Sequence, residues 1–204
     1  MVRRFVPRDS YARKASEQGY LARSAFKLER INEKFDVLRP AFRVLDLGAA
    51  PGSWLQVASR EVGPQGLVVG VDLTPVSFSA PNVVSLPADI LSSDFASLVL
   101  PYAPFDTVLS DAAPRTTGIR DRDQAGSLAL VEAAVVAARS VLKRGGALVA
   151  KAFESEDIHR LVRALGVDYA SVRTFKPPAS RDRSYETYII AQRKKEPAVL
   201  EKTG

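Results

Sequence analysis

The sequence predicts an α/β fold, in which a mostly parallel, seven-stranded sheet carries helices on both faces and ends in an antiparallel hairpin. Short apolar runs alternate with helical segments along most of the chain, which is typical of βαβ units. The nine residues 176–184, which lie between the last two strand candidates, are too few for a crossover helix. A length of 204 residues fits one domain with a small appendage.

The first half of the chain alternates clearly between the two element types. A helix begins at Ser24, which is a suitable N-cap, and ends at Arg39-Pro40, because the residue before a proline disfavours helical geometry. The next helix, 53–62, stops at Gly63-Pro64. The remaining candidates here are a short helix over 94–100 and apolar strands over 43–47, 67–72 and 83–89.

The second half continues the pattern. A helix over about 125–143 carries an apolar stripe that includes Leu128, Val131 and Val135, and Gly145-Gly146 is expected to end it. A shorter helix over about 157–165 stops at Gly166. The strand candidates are 105–111, 147–153, 169–175 and 187–192. Seven strands with this terminal hairpin match the Rossmann-like architecture of methyltransferases that use S-adenosylmethionine.

We therefore expect a single methyltransferase domain over 21–192, preceded by a loosely ordered basic segment, 1–20, and followed by a disordered tail, 193–204. The absence of cysteine excludes disulfides and thiolate chemistry, and the single histidine, His159, excludes a multi-histidine metal site. We expect no metal. The sequence has neither an apolar run of about 18 residues nor a secretory signal, which favours a cytoplasmic protein with no membrane partner.

Charge is unevenly distributed along the chain. Residues 1–43 hold 11 basic and 5 acidic side chains, and residues 173–195 hold 7 and 2. The intervening residues 44–172 hold 10 basic and 14 acidic side chains. If the two basic ends meet in space, they form one face suited to a polyanion such as RNA.

A small-residue turn, 48–52, follows the first strand and opens a helix, as expected of a ligand-binding loop at a sheet edge. Its glycines, Gly48 and Gly52, do not have the G-x-G-x-x-G spacing of dinucleotide-binding proteins, and no P-loop lysine follows. Asp72 ends the second strand and is suited to ribose hydroxyls. Asp89 ends the third strand and is suited to an adenine amino group.

Four charged residues form a second candidate set. Lys151 lies in an apolar strand, where a cation needs a partner, and Asp111 ends the strand 105–111. Lys27 lies in the first predicted helix, and Glu186 lies at the start of the last strand. Two lysines and two carboxylates could form an alternating cluster, although each could equally be a surface charge or half of an ion pair.

Taken together, these segments resemble the FtsJ/RrmJ family of RNA 2′-O-ribose methyltransferases. The similarity spans almost the whole chain in the family's order. The matching stretches are GYLARSAFKLERI (19–31), VLDLGAAPGSWLQ (44–56), VVGVDLTP (68–75), VLSDAAP (108–114), LVAKAF (148–153) and KPPASRDRSYETYIIA (176–191). The family's usual Pro-Gly-Gly-Trp reads Pro51-Gly52-Ser53-Trp54 here.

The resemblance implies a catalytic Lys-Asp-Lys-Glu tetrad at Lys27, Asp111, Lys151 and Glu186. It also implies that S-adenosylmethionine is the cofactor, and the predicted cofactor-binding residues are Gly48, Pro51, Gly52, Trp54, Asp72, Asp89 and Asp111. The most similar bacterial members modify a uridine ribose in large-subunit (23S) ribosomal RNA, so the expected partner is RNA in that subunit. We expect the protein to be a monomer.

The chemistry is consistent with these residues. A ribose hydroxyl must lose its proton, and a lysine is a poor base at neutral pH unless burial or a neighbouring cation lowers its pKa. Lys151 is the candidate base and Lys27 the candidate cation. Asp111 would orient Lys151, and Glu186 would hold Lys27 or the ribose.

Arginine-rich segments lie next to the tetrad positions. Residues 22–27 and 181–184 are candidates for phosphate contacts, and 115–123 is a candidate mobile loop over the substrate. Alternatives remain. One is 2′-O-methylation of another RNA, such as tRNA or an mRNA cap. Others are methylation of a small molecule or protein, and a non-catalytic RNA-binding ribosome assembly factor. An NAD-dependent enzyme is disfavoured by the glycine spacing.

Overall fold

A computed structural model describes residues 10–178 and 185–196, in which seven strands form one sheet in the order β3-β2-β1-β4-β5-β7-β6. The strands are β1 Arg43–Leu47, β2 Leu67–Asp72, β3 Val83–Pro87, β4 Phe105–Ser110, β5 Leu142–Phe153, β6 Tyr169–Phe175 and β7 Glu186–Lys194. Strands β1 to β5 pair in parallel, whereas β7 is antiparallel to both β5 and β6. The predicted fold class, with its terminal antiparallel hairpin, is confirmed.

Six helices of the described residues cover the sheet, with one 3-10 turn at Leu100–Tyr102. They are α1 Ser10–Glu17, α2 Ala25–Phe35, α3 Ser53–Val62, α4 Phe95–Val99, α5 Arg120–Val141 and α6 Glu156–Ala164. Alternate residues of β1 face opposite sides of the sheet. Val44 packs in the cluster that contains residues of α2 and α3, whereas Leu45 and Leu47 pack in the cluster that contains residues of α5. The sheet is therefore covered on both faces.

Helix α5 is long and apolar enough to cross a membrane, by length and composition alone. In the fold it is a core helix. Val131, Ala134 and Ala138 are buried, and they pack in the same cluster as residues of β1, β4 and β5. Its apolar stripe is therefore accounted for by burial against the sheet.

The N-terminal segment differs from expectation, because residues 10–17 form helix α1 where we expected loose chain. Ala15 is buried, and the Tyr11 ring lies 5.9 Å from the Phe26 ring of α2. A helix this short is marginal in isolation, so packing on α2 supplies its stability. The remainder of the predicted loose segment, 1–9, lies outside the described residues.

Three predicted helix boundaries were wrong, and strand β3 ends at Pro87, two residues before its predicted limit. Helix α2 ends at Phe35, because Asp36 adopts a left-handed conformation. Helix α5 begins at Arg120, so the predicted mobile loop 115–123 is partly helical, and Asp123 accepts backbone N–H bonds from Thr117 and Gly118. Helix α5 also ends before Gly145-Gly146, because Leu142 already pairs with Phe105 in the sheet.

The C-terminal strand also extends further than predicted. Arg193 and Lys194 belong to β7 and not to a disordered tail. The Lys194 amino group donates hydrogen bonds to the carbonyl oxygens of Ala138, Arg139 and Leu142, which ties the strand to the end of α5. Residues 197–204 of the predicted tail, and the arginine-rich segment 181–184, lie outside the described residues.

Candidate active site

A cleft of about 580 Å³ opens at the carboxyl ends of the parallel strands, where ligands bind in open α/β sheets. Four of the predicted cofactor-binding residues line it. They are Gly48, Asp72, Asp89 and Asp111. Asp89 lies two residues beyond the end of β3, and its carboxylate accepts a hydrogen bond from the Leu91 backbone.

Asp72 fixes the turn that follows β1. One carboxylate oxygen accepts the Ala50 N–H at 3.0 Å, and the other accepts the Thr74 N–H at 2.7 Å and the Thr74 hydroxyl at 2.6 Å. A carboxylate has about four acceptor positions, so Asp72 retains capacity for a ligand. The side chain therefore both shapes the loop and presents an acceptor to the cleft.

Gly48 allows two site segments to approach closely. Its φ is +76°, and a Cβ added there would lie 2.7 Å from the Cα of Ala112, the residue after Asp111. We expect Gly48→Ala to lower the free energy of unfolding by about 1–3 kcal/mol and to reduce methyl transfer, because the added methyl displaces Asp111. Urea unfolding and a transfer assay would measure both effects.

Gly145→Ala is the matched control for this prediction. Gly145 has a φ of +79°, and a Cβ added there would have nothing within 4 Å of it. An alanine at position 145 therefore has the same unfavourable positive φ as an alanine at position 48, but it does not clash with a neighbouring residue. Equal losses of activity in the two variants would contradict the assigned role of Gly48.

Three other predicted cofactor-binding residues, Pro51, Gly52 and Trp54, do not line this cleft. The Pro51 carbonyl accepts the Ser77 N–H, and Gly52 is the N-cap of α3 with a φ of +119°. Trp54 is 2% exposed, and its indole N–H donates to the Ser24 carbonyl at 2.9 Å. The geometry gives Trp54 a packing role between α3 and α2, and its cofactor contact stays a prediction.

The four predicted tetrad residues come together as two ion pairs. Lys27 Nζ lies 2.7 Å from Glu186 Oε2, and Lys151 Nζ lies 3.2 Å from Asp111 Oδ1. Lys151 Nζ also donates to the Asp111 backbone carbonyl. Both lysines are buried, at 5% and 8% exposure. Each charged side chain therefore has an opposite charge beside it, which offsets the cost of burial.

Tyr188 joins the two ion pairs and was missed by the sequence analysis. Its hydroxyl donates to Asp111 Oδ1 at 2.8 Å, and Lys27 Nζ lies 5.7 Å from its ring centroid. The Trp54 ring stacks beside it at 5.8 Å. Burial, and then the negative charge of Asp111, raise the pKa of Tyr188 well above its usual value, so the phenol remains a donor.

Strand register contains the signal that would have identified Tyr188. It lies two residues after Glu186 on β7, so the two side chains share a face. It also lies directly opposite Lys151 in the β5–β7 pairing. This register is known only once β5 and β7 are paired in the fold. The alternation of side chains along β7 alone did not distinguish Tyr188 from an ordinary core residue.

Asp46 is a further buried acid beneath the cleft. It has zero exposure, and neither of its carboxylate oxygens has a hydrogen-bond partner among the described residues. Burial raises its pKa well above the usual value, and the charges of Asp111 and Asp72 add to that shift. A raised pKa means that Asp46 favours its neutral form, so the negative charges at this edge of the sheet are those of Asp72 and Asp111, and Asp111 is paired with Lys151.

Comparison with known proteins adds to this geometry. A sequence model of the FtsJ-like methyltransferase family matches residues 20–194. The chain belongs to this family.

Proteins of similar sequence align with this chain over nearly their full length. A protein of Syntrophobacter fumaroxidans named ribosomal RNA large subunit methyltransferase E is 48% identical over 93% of this chain and 97% of its own. A protein of the same name from Bdellovibrio bacteriovorus is 44% identical over 94% and 99%. A crystal structure of a Plasmodium falciparum protein, assigned by name to the ribosomal RNA methyltransferases, has a TM-score of 0.75 at 24% identity. It covers 86% of this chain and 98% of its own, and it supports the fold.

The departure from the FtsJ family pattern at Ser53 has a structural explanation. Ser53 is 3% exposed, and its hydroxyl forms a 2.7 Å hydrogen bond with the Ser24 hydroxyl, just before α2. The extra side chain therefore finds a partner at the N-cap of the helix that carries Lys27. Ser24 does not use this hydroxyl to cap α2. The serine at position 53 is thus compatible with the fold of the family.

The two basic segments, 1–43 and 173–195, meet in the fold, which is the condition under which the sequence analysis expects one basic face. Lys34 of α2 lies 4.5 Å from the ring centroid of Phe175, the last residue of β6. Lys34 and Lys176 line a shallow groove with Tyr11 and Phe175. Cations beside aromatic rings are suited to the phosphates and bases of single-stranded nucleic acid.

Proposed function

We propose that this chain is an S-adenosylmethionine-dependent RNA methyltransferase that methylates a ribose 2′-hydroxyl, with a uridine of large-subunit (23S) ribosomal RNA as its target. The observation that carries the proposal is the pair of buried ion pairs at the edge of the cleft, joined through Tyr188. The names of the relatives support a ribosomal RNA substrate. We place the activity in the cytoplasm and expect a monomer.

The residues of the cleft fit S-adenosylmethionine. Asp72 and Asp89 offer carboxylate acceptors at the ends of adjacent strands, suited to ribose hydroxyls and an adenine amino group. When bound, S-adenosylmethionine supplies an electrophilic sulfonium methyl group.

Lys151 is the proposed general base. Its ammonium form, which makes the ion pair with Asp111, must first release a proton to solvent, and the neutral amine then accepts the proton of the 2′-hydroxyl. Its nitrogen is held by the carboxylate and the backbone carbonyl of Asp111, so its position is fixed before the RNA arrives. Such preorganisation is a large part of the acceleration available to a transfer between two bound groups. Proton removal by a positioned base contributes about 10²- to 10⁴-fold.

Asp111 and Tyr188 position the base. Lys27 and Glu186 are assigned to hold the ribose of the RNA substrate. Asp111 contacts both Lys151 and the Tyr188 hydroxyl through the same carboxylate oxygen, Oδ1. Lys27 is anchored by Glu186 at 2.7 Å, and Glu186 also borders a second cleft. The tetrad thus borders two clefts, since Asp111 lines the first and Glu186 the second.

The decisive test is methyl transfer to large ribosomal subunits and to total RNA from cells that lack this protein. Labelled S-adenosylmethionine supplies the methyl group, and the RNA is then hydrolysed with alkali. A 2′-O-methyl group blocks cleavage at its own phosphodiester, so we expect the label in alkali-resistant dinucleotides that contain uridine. Label in single nucleotides would indicate base methylation and would contradict the ribose assignment.

The choice of RNA separates the proposal from its alternatives. Label in tRNA alone, or in capped mRNA alone, would assign the chain to another RNA 2′-O-methyltransferase class. Binding of S-adenosylmethionine without label in any RNA would favour a non-catalytic role in ribosome assembly.

A further inference from the structure

The second cleft lies beside Glu186 and has a volume of about 330 Å³. Tyr185, the residue before β7, lines it with a side chain that is 56% exposed. The Arg120 guanidinium, at the start of α5, lies 5.0 Å from the centroid of the Tyr185 ring. An exposed aromatic ring backed by an arginine forms a flat surface of the kind on which unstacked bases pack.

Hydrogen bonds hold the walls of this cleft in place. Asp123 accepts the Thr117 N–H at 2.7 Å and the Gly118 N–H at 3.1 Å, which fixes the loop before α5. The Glu154 N–H donates to the Tyr185 carbonyl at 2.9 Å. Phe153, which also lines the cleft, pairs with Glu186 across the β5–β7 register. The cleft is therefore preformed at a defined place relative to the tetrad.

The cleft carries charges of both signs. Two carboxylates, Asp123 and Glu186, and the Arg120 guanidinium line it, and Glu186 is paired with Lys27. Hydrogen bonds from the Thr117 backbone lower the pKa of Asp123, so this group is an anion at neutral pH. The negative charge of Asp123 is matched by Arg120, which leaves no net positive charge to select a phosphate, whereas a neutral planar ring meets an aromatic platform.

We infer that this cleft is the acceptor-base pocket, in which the uracil ring of the nucleotide to be methylated stacks on Tyr185. The inference rests on the proposed function, because a ribose held at the tetrad must carry its base into one of the adjoining clefts. The cleft of Asp72, Asp89 and Asp111 is assigned to the methyl donor, which leaves the cleft of Tyr185 and Glu186 for the base.

The test compares three substitutions at Tyr185 in methyl transfer to large ribosomal subunits. We expect Tyr185→Ala and Tyr185→Leu to raise the KM for the subunits about tenfold, because base–aromatic stacking is lost in both. Tyr185→Phe retains the ring and should keep the wild-type KM. The affinity for S-adenosylmethionine, measured by calorimetry, should stay within about twofold in all three.

Val167→Ala is the matched control. Val167 is 77% exposed in the turn between α6 and β6, away from both clefts, and its loss should change neither KM nor cofactor affinity. Active wild-type protein with an unchanged KM in Tyr185→Ala would overturn the pocket while leaving the proposed function intact. A raised KM in Tyr185→Phe equal to that in Tyr185→Ala would overturn the stacking role. Wild-type protein that transfers no methyl group to any RNA would overturn both proposals.

Discussion

Lys151→Ala is expected to reduce methyl transfer to RNA by at least about 100-fold while S-adenosylmethionine still binds. The substitution removes the proposed base, whose contribution is about 10²- to 10⁴-fold in rate. Lys151 does not line the cleft that holds the predicted cofactor contacts, and Asp111 keeps its hydrogen bond from Tyr188. Single-turnover transfer with labelled S-adenosylmethionine, alongside calorimetric binding, would separate the two effects.

Two further variants make this prediction specific. Lys151→Arg keeps a positive charge but cannot act as a base, because an arginine is not deprotonated in proteins. We expect it to be as inactive as Lys151→Ala, and substantial activity in either variant would remove Lys151 as the base. Lys194→Ala is the control for loss of a strand lysine, since Lys194 binds backbone carbonyls at the end of α5 and lies outside the tetrad.

Tyr188→Phe is expected to lower the transfer rate about 10- to 100-fold and the free energy of unfolding by about 1–3 kcal/mol. The variant retains the ring that stacks on Trp54 but removes the hydroxyl that donates to Asp111. A partly buried carboxylate then loses a donor, and the group that positions Lys151 is held less firmly. Urea unfolding and transfer kinetics would measure the two quantities on the same preparation.

Tyr169→Phe provides the matched control in the same sheet. Tyr169 is 2% exposed on β6, and its hydroxyl has no hydrogen-bond partner among the described residues. Removal of a buried, unpaired hydroxyl should leave stability equal or higher. If both phenylalanine variants show the same stability and the same transfer rate as the wild-type protein, Tyr188 has no positioning role.

Elements bounded by strong local signals were predicted with their observed limits. Strands Arg43–Leu47 and Leu67–Asp72, and helix Ser53–Val62, lie between glycine- or proline-containing turns. Glycine and proline restrict or permit backbone conformations at single residues, so their effects are readable without the fold. The helix over Ser10–Glu17 was missed because its stability comes from contact with Phe26 of α2.

Within the candidate site, features that depend on neighbouring residues were predicted, and contacts between distant segments were not. The buried position of Lys151 was inferred from its apolar strand alone, because a cation in such a run needs a partner. The pairing of Lys27 with Glu186 joins residues 159 positions apart, and the sequence alone left it open whether they formed a cluster or lay separately on the surface. Tyr188 carried no local signal that separated it from the core residues around it on β7.

The sequence by itself determined the α/β class, the order of its elements, the turn at 48–52 and the two basic ends. These features follow from periodicity, breakers and charge, which act over a few residues. Tertiary structure alone decided that Lys151 lies opposite Tyr188 and that the Asp111 carboxylate contacts both of these side chains. It also decided that Tyr185 and Arg120 line one cleft. Strand register and helix docking set those contacts, and both depend on packing between segments far apart in the chain.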